Sequence, residues 1–330
     1  MLGPFRQKWM RFSVGTGLML AALGPIAQAD DYPSRPVTIV VPYAAGGGTD
    51  ILARMFGQKL QESLGKPFLI EDRPGGGTVI AASAVAKSTP DGYTLLMGTS
   101  TPLAINAILH KKLPYDPETD FMPLALVANV PFVLVVNPAL PVHSVADLIK
   151  LAKEKPGELS FGTSGAGSPH HLYAELLKTM TGIEMVHIPY KGSVPALTDV
   201  VAGHLPLMFV DLAPAVQLIK EGKVRALGVS SKIRVAALPD VPPIAENGVP
   251  GFEAVAWQML VAPAKTPPEI VEKLHAALKT AAALPEIQQQ IFKIGMIPID
   301  TPAIDEMQRY VKSEITRWGD VVRKSGASVE

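Results

Sequence analysis

The chain has 330 residues, 48% of them hydrophobic, and its 30 basic residues balance its 30 acidic residues. This composition predicts well-filled cores in two domains of ordinary size and excludes a disordered chain. The basic residues form no cluster that could contact phosphates, so nucleic acid is excluded as a partner, and the absence of cysteine excludes disulfides, thiol catalysis and cysteine–zinc sites.

The first predicted element is a signal peptide over residues 1–29. Three basic residues precede an apolar stretch, residues 12–26, and the cleavage-site pattern Ala-Gln-Ala follows it. The apolar stretch is shorter than the ~20 residues that a membrane-spanning helix needs, which disfavours the alternative of an uncleaved anchor. We therefore expect export, cleavage before Asp30 and, because no lipid-modified cysteine is possible, a protein that diffuses freely in the periplasm.

Short β-branched runs then alternate with helical periodicity. Strands are predicted at residues 37–41, 68–70 and 93–97, and helices at about residues 51–64 and 78–87. Strand–helix–strand repetition indicates a parallel sheet with helices on both faces.

A second series of the same kind begins after Pro131. Its strands are predicted at residues 132–136, 159–161, 185–188, 205–210 and 224–229, and its helices at residues 145–154, 172–180, 194–202 and in a segment that ends near Glu221. This series predicts a second domain with its own sheet.

The remainder of the chain contains a proline-rich connection, a single strand and three helices. The strand is predicted at residues 257–262 and the helices at residues 268–282, 287–294 and 304–324. Because one strand makes no sheet, this part is predicted to complete the first domain. The predicted organisation is a discontinuous first domain (30–130 and 231–330), a second domain (131–230), and a cleft between them with a hinge where the chain crosses.

Glycine-rich loops follow three of the predicted strands, at residues 42–50, 73–77 and 162–171. In open parallel sheets, ligands bind outside the carboxyl ends of the strands. Each loop opens into a helix, so unpaired N–H groups and the positive ends of helix dipoles would meet near one point. The sequence therefore predicts a site for a carboxylate that is held mainly by neutral dipoles.

Other interpretations of these loops are weaker. Asp50 either caps its own helix or contacts an amine or hydroxyl of a ligand. His171 and Glu175 have the spacing of a metal-binding pair, but no third ligand lies nearby in the sequence. The segment Gly162–Ala166 departs from the nucleophile motif G-x-S-x-G at its last position, and Gly75–Gly77 lacks the ending of a nucleotide-binding loop. We therefore predict no metal and no cofactor.

Several segments together resemble the Bug family, the periplasmic solute-binding components of tripartite tricarboxylate transporters. They occur in order over essentially the whole chain after the signal peptide: RPVTIVVP at 35–42, AGGGTD at 45–50, RPGGG at 73–77, PDGYTLL at 90–96, YKG at 190–192 and LPDVP at 238–242. This combination is specific for the family but not for the ligand.

The resemblance implies a type II-like Venus-flytrap protein whose two α/β domains, each a mostly parallel sheet flanked by helices, close on a carboxylate. Carried onto this sequence, the loop after the first strand and the Gly-Thr-Ser-Gly loop of the second domain are expected to hold the ligand. The complete predicted ligand-binding set is Tyr43, Ala45, Gly46, Gly47, Gly48, Thr49, Asp50, Gly75, Gly76, Thr99, Ser100, Thr163, Ser164, Gly165, Gly167, Ser168, His171, Tyr190, Lys191 and Asp211.

Three functions are compatible with these sequence features. The favoured one is a monomeric binding protein that delivers a small carboxylate to integral-membrane transporter subunits. The alternatives are a periplasmic receptor that presents the carboxylate to a membrane sensor kinase, and a hydrolase that uses Ser164 or Ser168 with His170 or His171. The sequence leaves the identity of the carboxylate open.

Overall fold

The computed structural model describes residues 1, 3 and 32–325, so the predicted signal peptide lies outside the described residues apart from positions 1 and 3. The α/β class is confirmed: the described strands form two connected sheets that helices cover on both faces. Among the described helices, none combines the length and the apolar character that crossing a bilayer requires.

The first sheet starts from three parallel strands, with the earliest in the centre: β1 (Val37–Val41), β2 (Phe68–Asp72) and β3 (Thr94–Thr99). Antiparallel strands extend the sheet beyond β3 in the order β9 (Val255–Pro263), β4 (Phe121–Val136) and β10 (Ile297–Pro298). The predicted strand at residues 257–262 thus joins the sheet of the first series, as expected.

The second sheet repeats this plan. Its parallel strands are β5 (Ser160–Thr163), β6 (Val186–Pro189) and β7 (Leu207–Asp211), with β5 in the centre. The second part of β4 pairs antiparallel with β7 on one side and with β8 (Arg225–Val229) on the other.

Strand β4 belongs to both sheets. It pairs with β9 as far as Pro131 and with β7 from Phe132 onward. Sequence reasoning predicted only its second part, because Pro123 and Pro131 interrupt the strand pattern of the first part. Proline is tolerated there because the register with β9 shifts near Pro123, while Pro131 lies where the strand passes from one sheet to the other.

Helices pack on both faces of each sheet. The first sheet is covered on one face by α1 (Gly48–Leu64), α8 (Pro268–Ala282) and α9 (Pro285–Lys293), and on the other by α2 (Val79–Ala86), a π-helical segment (Thr101–Ile105) that leads into α3 (Asn106–Leu109), and α10 (Ile304–Ser325). The second sheet is covered by α4 (Val145–Glu154) and α5 (Pro169–Thr181) on one face, and by α6 (Ser193–Ala202) and α7 (Leu212–Lys220) on the other.

The alternation of side chains along the strands explains these layers. In β1, Val37, Ile39 and Val41 belong to the core beneath α1 and α8, whereas Val40 belongs to the opposite core beneath α2. A strand that is buried on both faces reads as a continuous apolar run, which is why the sequence pattern predicted it correctly.

Helix α10 contacts both halves of the molecule. Its Met307 lies in the core of the first sheet, whereas Trp318 lies in the core of the second and stacks on Tyr173 of α5 at a ring-centroid distance of 5.5 Å. The division at residues 131–230 remains our proposal for the second domain, with the last turns of α10 packed against it. The chain crosses between the sheets where Ser230 and Phe132 exchange hydrogen bonds of 2.8 Å.

Candidate functional site

A cleft of about 780 Å³ opens between the carboxyl ends of the parallel strands of the two sheets. This volume lies in the range of small-molecule sites. The lining residues up to residue 130 are Tyr43, Gly47, Gly48, Thr49, Gly76, Gly77, Thr78, Thr99, Ser100, Thr101, Asn106, Leu109, His110 and Val130. The lining residues after residue 130 are Phe132, Ser164, Ala166, Gly167, Ser168, Pro169, His170, Gly192, Ser193, Asp211, Ala256, Gln258 and Met296.

Several helices begin at this cleft. Helix α1 starts after Gly47, α6 after Gly192 and α7 after Asp211, and no side chain caps any of these starts. The first N–H groups of a helix have no acceptor within it, and they carry the positive end of the helix dipole. The cleft therefore offers unsatisfied donors from both sheets to a negatively charged group.

Asp50 shapes the loop before α1. Its carboxylate accepts the Gly46 N–H at 2.7 Å and pairs with Arg54 Nε at 2.8 Å. Burial acts to raise the pKa of Asp50, but the Gly46 hydrogen bond and the Arg54 guanidinium outweigh burial and hold the pKa below its ordinary value. Asp50 is absent from the lining of the cleft, which favours the interpretation that it stabilises the start of its own helix.

The wall formed by the first sheet contains polar atoms without partners. Gln258 Nε2 donates to Thr49 Oγ1 at 3.1 Å, whereas Gln258 Oε1 has no hydrogen-bond partner among the described residues. Ser100 Oγ also has no hydrogen-bond partner among the described residues, and Ser100 is only 1% exposed. Because a buried polar atom without a partner is costly, these atoms favour a polar ligand next to them.

The second glycine loop requires glycine for conformational reasons. Gly75, Gly76 and Gly77 have φ values of 117°, 57° and 58°, a region that residues with a Cβ rarely adopt. Asn106 Nδ2 donates to Gly77 O at 2.9 Å and so fixes the loop from α3. Two of the three glycines line the cleft as a result.

The loop between β5 and α5 forms the opposite wall. Ser168 Oγ donates to Gly165 O at 2.7 Å and accepts the His171 N–H at 3.4 Å, so the predicted N-cap role of Ser168 is confirmed. Thr163 is fully buried, and its Oγ1 lies 2.6 Å from His187 Nε2. Thr163 and His187 thus support the loop without lining the cleft, whereas Ser168 both caps α5 and lines the cleft.

His171 is another side chain that supports the loop. Its Nδ1 accepts the Gly167 N–H at 3.1 Å, and its ring stacks on His187 at a centroid distance of 3.9 Å. Burial, with a smaller contribution from His187 and Lys178, lowers the pKa of His171 to about 4. The neutral ring is therefore the form that supports the loop.

This arrangement predicts a loss of stability in mild acid. The unfolded chain, with an ordinary histidine pKa of about 6.5, takes up a proton before the folded protein does as the pH falls. Stability contributed by neutral His171 is therefore complete above about pH 6.5 and decreases toward pH 4, with a loss of about 2 kcal/mol by pH 5. Urea unfolding of the wild type and of His171→Gln at pH 6.5 and 5 measures this loss, and equal losses in both proteins would contradict it.

His170, the neighbour of His171, lines the cleft. Its Nδ1 lies 2.9 Å from Ser164 Oγ, and its Nε2 lies 3.2 Å from Asp211 Oδ2. The ring is buried and packs edge-on against Phe132 at a centroid distance of 5.0 Å. Ser164, His170 and Asp211 therefore form one hydrogen-bonded chain on the wall of the second sheet.

The predicted site residues divide into two groups. The structure brings Tyr43, Gly47, Gly48, Thr49, Gly76, Thr99, Ser100, Ser164, Gly167, Ser168 and Asp211 together in the cleft. It places outside the lining Ala45, Gly46, Asp50, Gly75, Thr163, Gly165, His171, Tyr190 and Lys191. Tyr190 donates instead to Asp199 Oδ2 at 2.6 Å, and of that segment only Gly192 and Ser193 reach the cleft.

Sequence reasoning missed other lining residues, notably Asn106, His170 and Gln258. Gln258 and Asn106 carried no local signal, because strand pairing and helix packing bring them to the cleft from elsewhere in the chain. For His170 the loop motif gave the right segment, and only the rotation of α5 decides which of the two adjacent histidines faces the cleft. The two histidines and Glu175 form no candidate metal site, since residues 32–325 contain no suitable group of three ligands.

Comparisons with known proteins agree with this geometry. The model of the family described as "Tripartite tricarboxylate transporter family receptor" matches residues 52–327. The R. palustris protein Rpa4515, solved with adipate, has a TM-score of 0.79 and 42% identity, covering 90% of this chain and 99% of that one. MatC of Rhodopseudomonas palustris, solved with bound malate, has a TM-score of 0.74 and 34% identity, covering 88% and 100%. The periplasmic binding protein BugD has a TM-score of 0.75 and 33% identity, covering 91% and 100%.

Proposed function

Because this chain belongs to the tripartite tricarboxylate transporter receptor family, whose members are periplasmic solute-binding proteins and not enzymes, we propose that it captures a small carboxylate in its cleft. It then delivers the carboxylate to the membrane subunits of a tripartite tricarboxylate-type transporter. The relatives solved with adipate and malate support this ligand class.

One observation carries the proposal: uncapped helix starts from both sheets meet at a single cleft. Gly47 and Gly48 bring the start of α1, Gly192 brings the start of α6, and Ser164 adds a hydroxyl group from the loop before α5. A carboxylate is small and planar, and it accepts several hydrogen bonds at once. A neutral ligand would leave the dipoles of these helices without a complementary charge.

The expected hydrogen bonds are sufficient for useful affinity. Each hydrogen bond to a charged group contributes ~1.5–3 kcal/mol. About five or six of them, shared between the two walls, can offset the entropy of ordering a small ligand and still reach the ~8 kcal/mol of micromolar binding. Binding from both walls also favours closure of the two domains around the ligand.

A thermal-shift screen tests the ligand class. Adipate, malate, citrate and benzoate are compared with glucose and choline as neutral and cationic controls. A ligand present at about 100 times its dissociation constant stabilises the folded protein by ~2.7 kcal/mol, so at least one acid is expected to raise the melting temperature by several degrees. Stabilisation by glucose or choline with none by any acid would contradict the proposal.

We also propose that the protein is exported and that it delivers its ligand to the membrane subunits. The protein acts in the periplasm, reaches it through a cleaved signal peptide over residues 1–29, and works as a monomer. Mass spectrometry of protein secreted to the periplasm should find Asp30 at the N-terminus. Uptake of the labelled acid by vesicles that contain the membrane subunits should require added binding protein, and uptake without it would contradict delivery.

A further inference from the structure

Permanently charged cations are absent from the described residues that line the cleft, since none of these residues is lysine or arginine. Asp211 contributes a carboxylate to the same lining. Asp211 Oδ2 lies 3.2 Å from His170 Nε2, so this carboxylate is part of the same wall that carries Ser164. A second carboxylate, from a ligand, would raise the negative charge of a partly desolvated site.

The hydrogen bonds of His170 determine whether the Ser164 hydroxyl can donate a hydrogen bond to a ligand in the cleft. An ionised Asp211 only accepts, so the proton of a neutral His170 ring lies on Nε2 and points to Oδ2. Nδ1 is then an acceptor, and the Ser164 hydroxyl donates its hydrogen to Nδ1 over 2.9 Å. In this state Ser164 presents only lone pairs to the cleft, which repel a carboxylate.

We propose that carboxylate binding is coupled to the uptake of one proton by His170, which turns Ser164 from an acceptor into a donor. The proton comes from the solvent and binds to Nδ1. Nδ1–H then donates to Ser164 Oγ, while the Ser164 hydrogen turns to an oxygen of the ligand. Nε2–H continues to donate to Asp211, so the imidazolium is paired on both sides and its charge balances that of the ligand. This inference rests on the proposed function.

Other titratable groups around His170 do not account for this proton uptake. On α5 itself, burial keeps Tyr173 protonated by raising its pKa, and burial keeps His171 neutral by lowering its pKa to about 4. From the loop after β1, Tyr43 has a pKa raised by burial, and the charge of Asp211 acts in the same direction. From β4, the neighbour of His170 is the apolar ring of Phe132. His110, at the end of α3, lines the same cleft and is the alternative to be tested.

Calorimetry in two buffers of different ionisation enthalpy measures the proton. The probes are adipate and malate at about pH 7.5, where both acids are fully ionised and cannot take up the proton themselves. The expected uptake is roughly one-half to one proton per ligand, and the affinity should increase by up to about tenfold per pH unit as the pH falls from 8 toward 6.

Variants assign the proton to one residue. His170→Gln should bind with no proton uptake and with a flat pH profile, whereas the exposed His204→Gln should keep the wild-type uptake. Ring ¹⁵N chemical shifts of His170 in the wild type, recorded with and without adipate, give a second measurement that does not depend on a variant folding. They should change from the neutral to the doubly protonated pattern.

The outcomes separate the two proposals. Binding without proton uptake, uptake that survives in His170→Gln, or uptake lost only in His110→Gln would overturn the inference and leave the proposed function standing. Failure of adipate, malate and every other acid of the screen to bind would contradict the proposed function, and this inference with it.

Discussion

Replacing Gly47 with aspartate is expected to stabilise the fold while weakening carboxylate binding about a hundredfold or more. Gly47 precedes α1 with φ −78° and ψ 166°, an extended conformation that aspartate adopts readily, and a Cβ there would meet only Ala44 O at 3.6 Å. The new carboxylate would cap α1, which contributes roughly a few tenths of a kcal/mol relative to glycine, and would occupy the N–H groups that the ligand needs. Thermal unfolding and calorimetric titration with adipate measure both effects.

Gly47→Ala is the matched control. It adds the Cβ but no oxygen, so α1 stays without a side-chain cap and its N–H groups remain available. We expect it to weaken binding by no more than a few fold. If Gly47→Asp binds the acid as tightly as Gly47→Ala does, the start of α1 is not the carboxylate site.

The largest effect on stability is expected for Glu314→Leu. Glu314 is buried on α10, where Oε2 accepts the indole N–H of Trp257 at 3.1 Å and of Trp318 at 3.0 Å, and Oε1 pairs with Arg317 at 3.1 Å. Leucine fills similar space but leaves two buried indole donors without an acceptor and removes the ion pair of Arg317, which keeps its hydrogen bond to Glu253 O. The free energy of unfolding should fall by about 3–5 kcal/mol, measured by chemical denaturation.

Glu314→Gln separates hydrogen bonding from packing. Its amide oxygen still accepts from an indole N–H, although it lacks the charge that pairs with Arg317, so we expect a smaller loss than for leucine. Because Trp257 belongs to the first sheet and Trp318 packs against the second, the leucine variant should also weaken the connection between the two halves of the molecule. Equal stability of the leucine variant and the wild type would show that the indole groups find other acceptors.

Most of the secondary structure could be predicted from the sequence because its signals are local. Strand β1 is buried on both faces and reads as an apolar run, and α4 begins at Val145 and ends at Glu154 as its periodicity predicts. Glycines at the strand ends marked the loops because left-handed backbone conformations strongly favour glycine. The same motifs, in order, indicated the family, which the comparisons confirm.

Long-range packing decided the rest. Nothing local shows that β4 runs from Phe121 through Pro131 into the second sheet, because its partners β9 and β7 lie far away in the chain. The choice between His170 and His171 is of the same kind: adjacent residues on a helix point about 100° apart, and only the packing of α5 on its sheet turns His170 toward the cleft. The sequence by itself therefore determined the loops and the family, whereas the tertiary structure decided which side chains meet in the cleft, since convergence depends on contacts between distant residues.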